Sequence, residues 1–348
     1  MNLIKRENAS DLVLTVMKWA ILSLLFMRTY LILTGYPSIE KGNWHITHAF
    51  SGGLIMWIGA MINYVFYGSQ AKKTSAAVFG AGLGLFVDEI GKYLTRDNNY
   101  FFQPAFSLIY VFFIILFLIY RYLEKNVPKE PRAILFQVMD KLEELSANDL
   151  EKSEKMGLLK KLKVVVEKGD EKTKNLALEL NHMVERIEPI EDKVDGWSVR
   201  FWKTIRRYSY RKVFKRKWVL IILLILAIAY IAGGVVDSVY ILSKYKENRL
   251  FELWYGNWEL INKTDLRIFS IMTIGDGITS VLFIGGIYWL LRKKRTKGFS
   301  YFQYGLLVNI FITSVFRFYF EQFSGVFGVI TSIIVLEGLK KLKTELAK

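Results

Sequence analysis

Four side chains suited to acid–base or metal chemistry fall in two short stretches: His45 and His48, three residues apart, and the adjacent Asp88 and Glu89. Neutral imidazole and carboxylate oxygen together suit a divalent ion such as Zn²⁺, Mn²⁺ or Fe²⁺. The same four groups can instead relay protons, because histidine titrates near neutral pH and burial raises the pKa of a carboxylic acid. Lys92 follows Asp88 by four residues, so an Asp88–Lys92 ion pair on one helix face is the structural alternative. A second set lies later in the chain: Asp237, Asp276, Asn309, Arg317 and Glu321. Arg317 and Glu321 are again four apart and read as a local ion pair. Asp276 stands between Gly275 and Gly277 among apolar neighbours; without a partner it is either protonated or faces a polar cavity. Arg28 is a candidate partner for any of these acids.

All of these residues lie in or beside long apolar runs. Crossing the roughly 30 Å of bilayer hydrocarbon takes about 20 residues of helix. Runs of that kind cover Leu12–Leu33, Thr47–Phe66, Ser75–Leu94, Pro104–Tyr122, Trp218–Leu242, Ile268–Leu291, Phe299–Phe320 and Val326–Leu342. The first lacks a small-residue cleavage site before Thr34-Gly35-Tyr36-Pro37 and is expected to be retained. The third reads Gly80-Ala81-Gly82-Leu83-Gly84 and then reaches Asp88-Glu89. Steps of four put Gly80, Gly84, Asp88 and Lys92 on one slowly turning face, where small residues let another helix approach. Composition agrees with a membrane protein: of 348 residues 52% are hydrophobic and 15% aromatic. The net charge of +16 is gathered in short blocks beside the apolar runs, unlike the continuous basic face of a nucleic-acid binder, so nucleic acid is not an expected partner. With no cysteine, disulfides and thiolate chemistry are excluded.

The expected fold is all-α: a polytopic membrane protein of about eight transmembrane helices, built as two parallel four-helix repeats around a cytoplasmic helical insert. The segments are residues 1–123, 124–217 and 218–348. Lys72-Lys73, the insert, Arg292-Lys293-Lys294-Arg295 and the lysine-rich tail fall on one side when eight spans are threaded. The positive-inside rule then makes both termini cytoplasmic in a multi-pass protein of the cell membrane. Local matches support duplication: Gly42-Asn43-Trp44 with Gly256-Asn257-Trp258, and Gly52-Gly53 with Gly275-Asp276-Gly277.

Within the insert, helices are expected at Arg132–Leu145, Asp149–Glu167 and Glu171–Ile187, with Ser146-Ala147-Asn148 as a capping run. The stripe Leu158, Leu159, Leu162, Val165 and Val166 is helix-to-helix core, in a small bundle or a homodimer contact. From Trp197 to Lys217 there are nine Lys/Arg, six aromatics and no acid. Arg200, Lys203, Arg207, Arg211 and Lys215 suit a surface helix on anionic lipid headgroups.

The His-x-x-His start of the second run, the Gly-rich third run with its Asp-Glu pair, and Asp97-Asn98-Asn99-Tyr100 beyond it resemble a family of bacterial and archaeal polytopic membrane proteins of uncharacterised function. The resemblance covers roughly His45 to Tyr100 and implies a membrane helix bundle without implying an activity. Three functions are compatible with the residues. The first is an ion- or proton-coupled transporter or channel with a polar site in the outer half of the bundle. Next comes a membrane-embedded hydrolase or transferase acting on lipid, with a divalent metal as cofactor on His45, His48 and Asp88 and with Glu89 activating water. The third is a scaffold or sensor.

Overall fold

A computed structural model of the chain describes residues 4–35, 40–41, 44–45, 48–95, 102–125, 130–146, 151–189, 216–245, 263–322 and 325–346. These residues are helical apart from a two-residue antiparallel ladder, in which Glu40 faces His45 and Lys41 faces Trp44. The helices of the first part are α1 (Ala9–Thr34), α2 (His48–Val65), α3 (Ser69–Asp88), α4 (Ile90–Leu94) and α5 (Gln103–Lys125). The insert contributes α6 (Pro131–Ser146), α7 (Lys152–Lys168) and α8 (Glu171–Arg186). After it come α9 (Arg216–Tyr245), α10 (Lys263–Leu291), α11 (Arg295–Val308), a π-helical turn (Asn309–Thr313), α12 (Ser314–Glu321) and α13 (Gly325–Leu346).

Every apolar run forms helix, but four stretches are long and apolar enough to cross a membrane: Ala9–Thr34, Gln103–Lys125, Thr264–Leu291 and Arg295–Glu321. Among the described residues α9 contributes a shorter apolar stretch, Ile221–Gly233, and three other helices fall short for physical reasons. Helix α2 has only 18 residues, α3 carries Lys72 and Lys73 and stops at Asp88, and α13 ends in Lys340-Lys341-Leu342-Lys343. Large apolar side chains such as Phe26, Leu33, Trp57 and Phe327 are exposed along the apolar helices. Water would penalise such surfaces and hydrocarbon does not, so they belong to a membrane protein.

Contacts divide the chain into two compact units: residues 1–100 with 112–194, and residues 101–111 with 195–348. In the first unit α3 is the centre, and its glycines set the spacing. A methyl group on Gly80 would collide with the Val16 carbonyl, and one on Gly84 with the Ala20 carbonyl and Ser23 Oγ, all on α1. On the other side, a Cβ on Gly82 would lie 2.5 Å from Met56 N and one on Gly52 2.6 Å from Phe86 N. The matching order of contacts makes α1 and α3 parallel, with α2 antiparallel to both. Backbone-to-backbone packing of this kind is how helices associate where lipid removes the hydrophobic drive.

The insert helices of this unit share a separate core, formed by Leu135, Val138, Leu158, Leu162, Val165, Ala177 and Val184. The expected stripe on α7 is therefore its centre. The cap differs from expectation: Glu151 and Glu154 form a capping box, with Glu151 N donating to Glu154 Oε2 at 3.3 Å.

The second unit is organised on the α10–α11 hairpin. Its turn is a Schellman motif: Lys293 takes φ +59°, and Lys294 N donates to Trp289 O at 3.0 Å. The core of this unit joins Leu223 and Ala227 of α9, Phe283 of α10, Phe299, Phe302 and Leu306 of α11, and Val335, Leu336 and Leu339 of α13.

The glycine spacing makes a prediction. Gly84→Val should destabilise the first unit by roughly 1–3 kcal/mol or more through overpacking. Gly53→Ala, whose Cβ would meet nothing within 4 Å, should leave thermal unfolding in detergent unchanged or slightly raised. Equal midpoints for Gly84→Val and the unaltered protein would contradict the packing.

Candidate functional site

Each unit buries one arginine–aspartate pair in apolar helix. In the first, the close α1–α3 approach carries Arg28 to Asp88: Arg28 Nε donates to Asp88 Oδ1 at 2.5 Å, and Nη2 to the Asp88 carbonyl at 3.1 Å. Both side chains are almost fully buried. The expected face from Gly80 through Asp88 to Lys92 is interrupted, because α3 ends at Asp88 and a new short helix starts at Ile90. Glu89 occupies the break with φ −92° and ψ 9°, the bridge region between helix and strand. Its fully buried carboxylate accepts from Ala49 N at 2.9 Å. Glu89 thus caps the start of α2 from another helix, a placement favoured by the dipole by about 0.3–1 kcal/mol, more when buried.

This geometry sets Glu89 beside the start of α2, where His48 lies, and gives both carboxylates structural partners. The described partner of Asp88 is Arg28; the side chain of Lys92, and with it the Asp88–Lys92 alternative, lies outside the described residues. So do those of His45 and Asp237. His48 is half-buried at the start of α2. Among the described residues, no group of three or more His, Asp or Glu side chains is disposed to hold a metal ion. Arg200, Lys203, Arg207, Arg211 and Lys215, and the Asp97-Asn98-Asn99 loop, lie outside the described residues.

The second unit holds the larger polar cluster. Asp276 receives Arg317 Nη2 at 2.9 Å and 3.1 Å on its two oxygens. Glu321 is the more distant partner, with Oε1 3.9 Å from Arg317 Nε. The guanidinium also lies 5.9 Å from the Tyr230 ring centroid on α9. One level further from the hairpin turn, Tyr319 donates to buried Asp265 at 2.7 Å. Midway along Arg295–Glu321, buried Asn309 accepts from Ser332 on α13 at 3.3 Å.

Three groups on this face repeat every four residues: Asn309, Thr313 and Arg317. Each carries a buried polar atom with no hydrogen-bonding partner among the described residues, namely Asn309 Nδ2, Thr313 Oγ1 and Arg317 Nε. Each such atom carries a desolvation penalty of about 1–3 kcal/mol, so a purely structural face would not accumulate three. The π-helical turn spans Asn309–Thr313. Hydroxyls from α5 support the backbone around it: Tyr110 donates to the Ile310 carbonyl and Ser107 to the Val315 carbonyl, each at 2.7 Å. Tyr110 also stacks on Phe318 with ring centroids 4.4 Å apart. Sequence reasoning named Asp276, Asn309, Arg317 and Glu321 but missed Tyr110, Tyr230, Asp265 and Thr313. Counting outward from the Arg292–Lys294 turn pairs Gly275 with Thr313, and Arg317, one turn further out on the same face, reaches back to Asp276 with its long side chain.

Removing one partner of a buried ion pair leaves an uncompensated charge, so Arg28→Leu should destabilise the fold by about 3–5 kcal/mol. The double variant Arg28→Leu with Asp88→Leu should recover most of that loss in thermal unfolding. A single variant as stable as the unaltered chain would contradict the pairing. The chain shows no match to a protein-family model, to a curated protein or to a solved structure.

Proposed function

We propose that this protein is an ion- or proton-coupled membrane transporter or channel whose polar site is centred on Asp276, Arg317, Asn309 and Thr313. The observation that carries the reading is the row of three buried, unpartnered polar atoms on one face of a membrane-length helix, interrupted by a π-helical turn. Ionisable groups at such depth are expensive, about 2.5–3.5 kcal/mol each on insertion scales, and mark ion or proton pathways. Turns of π type occur mostly at functional positions, because they re-aim side chains and loosen the backbone ladder.

Arg317 supplies a two-position element. It is bonded to Asp276 and lies near Glu321. Protonation or cation binding at Asp276 removes the attraction that holds the guanidinium, which then moves toward Glu321. Release of the proton or cation restores the first pair. Such a switch couples occupancy to a local rearrangement of the turn.

The wider architecture is part of the same proposal: eight helices in two halves with both termini cytoplasmic. Each half buries one Arg–Asp pair, Arg28–Asp88 and Arg317–Asp276, which supports related halves. The pairs join different runs, first to third and sixth to seventh. The metal-dependent reading draws less support, since Asp88 and Glu89 already bond Arg28 and the α2 amide.

Proteoliposomes test the proposal. Under an imposed pH or cation gradient, Asp276→Asn should lower flux at least tenfold, and Glu321→Gln should slow it severalfold while preserving the ion pair. Asp140→Asn, on the insert, should leave flux unchanged. Flux unaltered in both site variants, with each protein monodisperse, would overturn the assignment.

A further inference from the structure

A cavity of about 640 Å³ opens in the first unit where the residues before α1, the first turn of α3, and helices α6 and α7 meet. Six cations and four carboxylates line it. Three pairs are balanced: Lys72 with Asp140 at 2.7 Å, Lys141 with Glu154 at 3.0 Å, and Lys161 with Glu7. Lys5 donates to the Leu123 carbonyl at 2.5 Å. Arg6 and Lys73 remain with no ion pair or side-chain hydrogen bond among the described residues, against one further carboxylate, Asp11.

The wall carries a second, independent feature. Gln137 lines the cavity at only 6% exposure, and its amide Nε2 has no hydrogen-bonding partner. Three donors of different shapes, a guanidinium, an ammonium and an amide, therefore border one space, together with one unpartnered acceptor, Asn8 Oδ1, to which a protonated phosphate oxygen can donate. A ligand that serves all three offers several oxygens and negative charge, which is the chemistry of phosphate. The volume lies within the usual range of ligand pockets, about 300–1,000 Å³, leaving room for a body beyond the phosphate group. The cavity adjoins the start of α1, one of the membrane-length helices, so an anionic lipid can reach it as well as a soluble molecule.

We infer that this cavity binds a phosphate-bearing anion, held by Arg6, Lys73 and the Gln137 amide. The site is independent of the Asp276 cluster and gives the chain a second, ligand-responsive region. Isothermal titration of the full chain in detergent tests it with two probes, dioctanoyl-phosphatidylglycerol and inorganic pyrophosphate. At least one should bind saturably. Arg6→Gln with Lys73→Gln should weaken binding more than tenfold, and Gln137→Leu severalfold. Lys160→Gln with Lys163→Gln, an equal charge change on the exposed side of α7, should leave it unchanged, as should Lys163→Gln alone. Because Arg6 and Lys73 make no ion pair among the described residues, their replacement leaves the fold intact, which circular dichroism verifies. Binding of the lipid alone identifies a headgroup; binding of pyrophosphate identifies a soluble phosphate; either supports the site. No saturable binding of either probe, or equal weakening by Lys163→Gln and Lys73→Gln, would overturn it.

Discussion

A carboxylate inside an apolar helix bundle stays ionised only beside a cation or at a helix start, and both units are arranged to meet that demand. In the first, Gly80 and Gly84 bring α1 against α3, which lets the Arg28 side chain reach Asp88. With bulkier residues at those positions the helices would stand further apart and the charge would be stranded. Glu89 is satisfied by different means, by the free amides that open α2. In the second unit the tight α10–α11 hairpin performs the same task, setting Asp276 opposite Arg317.

The two pairs differ in what surrounds them, and that difference separates structure from function. Arg28 and Asp88 are both closed off from solvent, and a pair so enclosed acts as a fixed fastening between two helices. Arg317 is partly exposed, has a second acid within reach and sits one turn beyond a π-helical segment. Its neighbourhood contains the unpartnered atoms of Asn309 and Thr313. Unsatisfied polarity gathered on one helix face is the basis of the proposed site, whereas the unpartnered atoms described in the first unit, Asn8 Oδ1 and Gln137 Nε2, lie in residues that line the basic cavity. The basic cavity lined by α6 and α7 is a third environment, where charge is held by ion pairs such as Lys72–Asp140 and Lys141–Glu154.

Much of this was legible in the sequence, and what was not has a clear cause. Apolar run length placed most of the apolar helices to within about five residues, although the third begins six residues before its run, and the α7 stripe identified the insert core. The four-residue steps through Gly80, Gly84 and Asp88 correctly marked the face toward another helix. They could not say which helix, because α1 and α3 are separated in the chain by α2. The break at Glu89 was invisible, since its cause is a bond to an amide some forty residues away. A π-helical turn has no composition of its own: Asn-Ile-Phe-Ile-Thr reads as ordinary helix, and its support comes from hydroxyls on α5. The partner of Asp276 could not be chosen from the sequence, because Arg317 is remote in the chain until the hairpin closes.

Infrared spectroscopy of carboxyl groups examines the central claim most directly, that Asp276 is an ionised carboxylate because Arg317 lies beside it. At neutral pH the unaltered protein should show no protonated-carboxyl stretch that Asp276→Asn removes. Arg317→Leu should introduce one, and adding Asp276→Asn to that variant should abolish it. A protonated band assigned to Asp276 in the unaltered protein, or its absence after Arg317→Leu, would contradict the account.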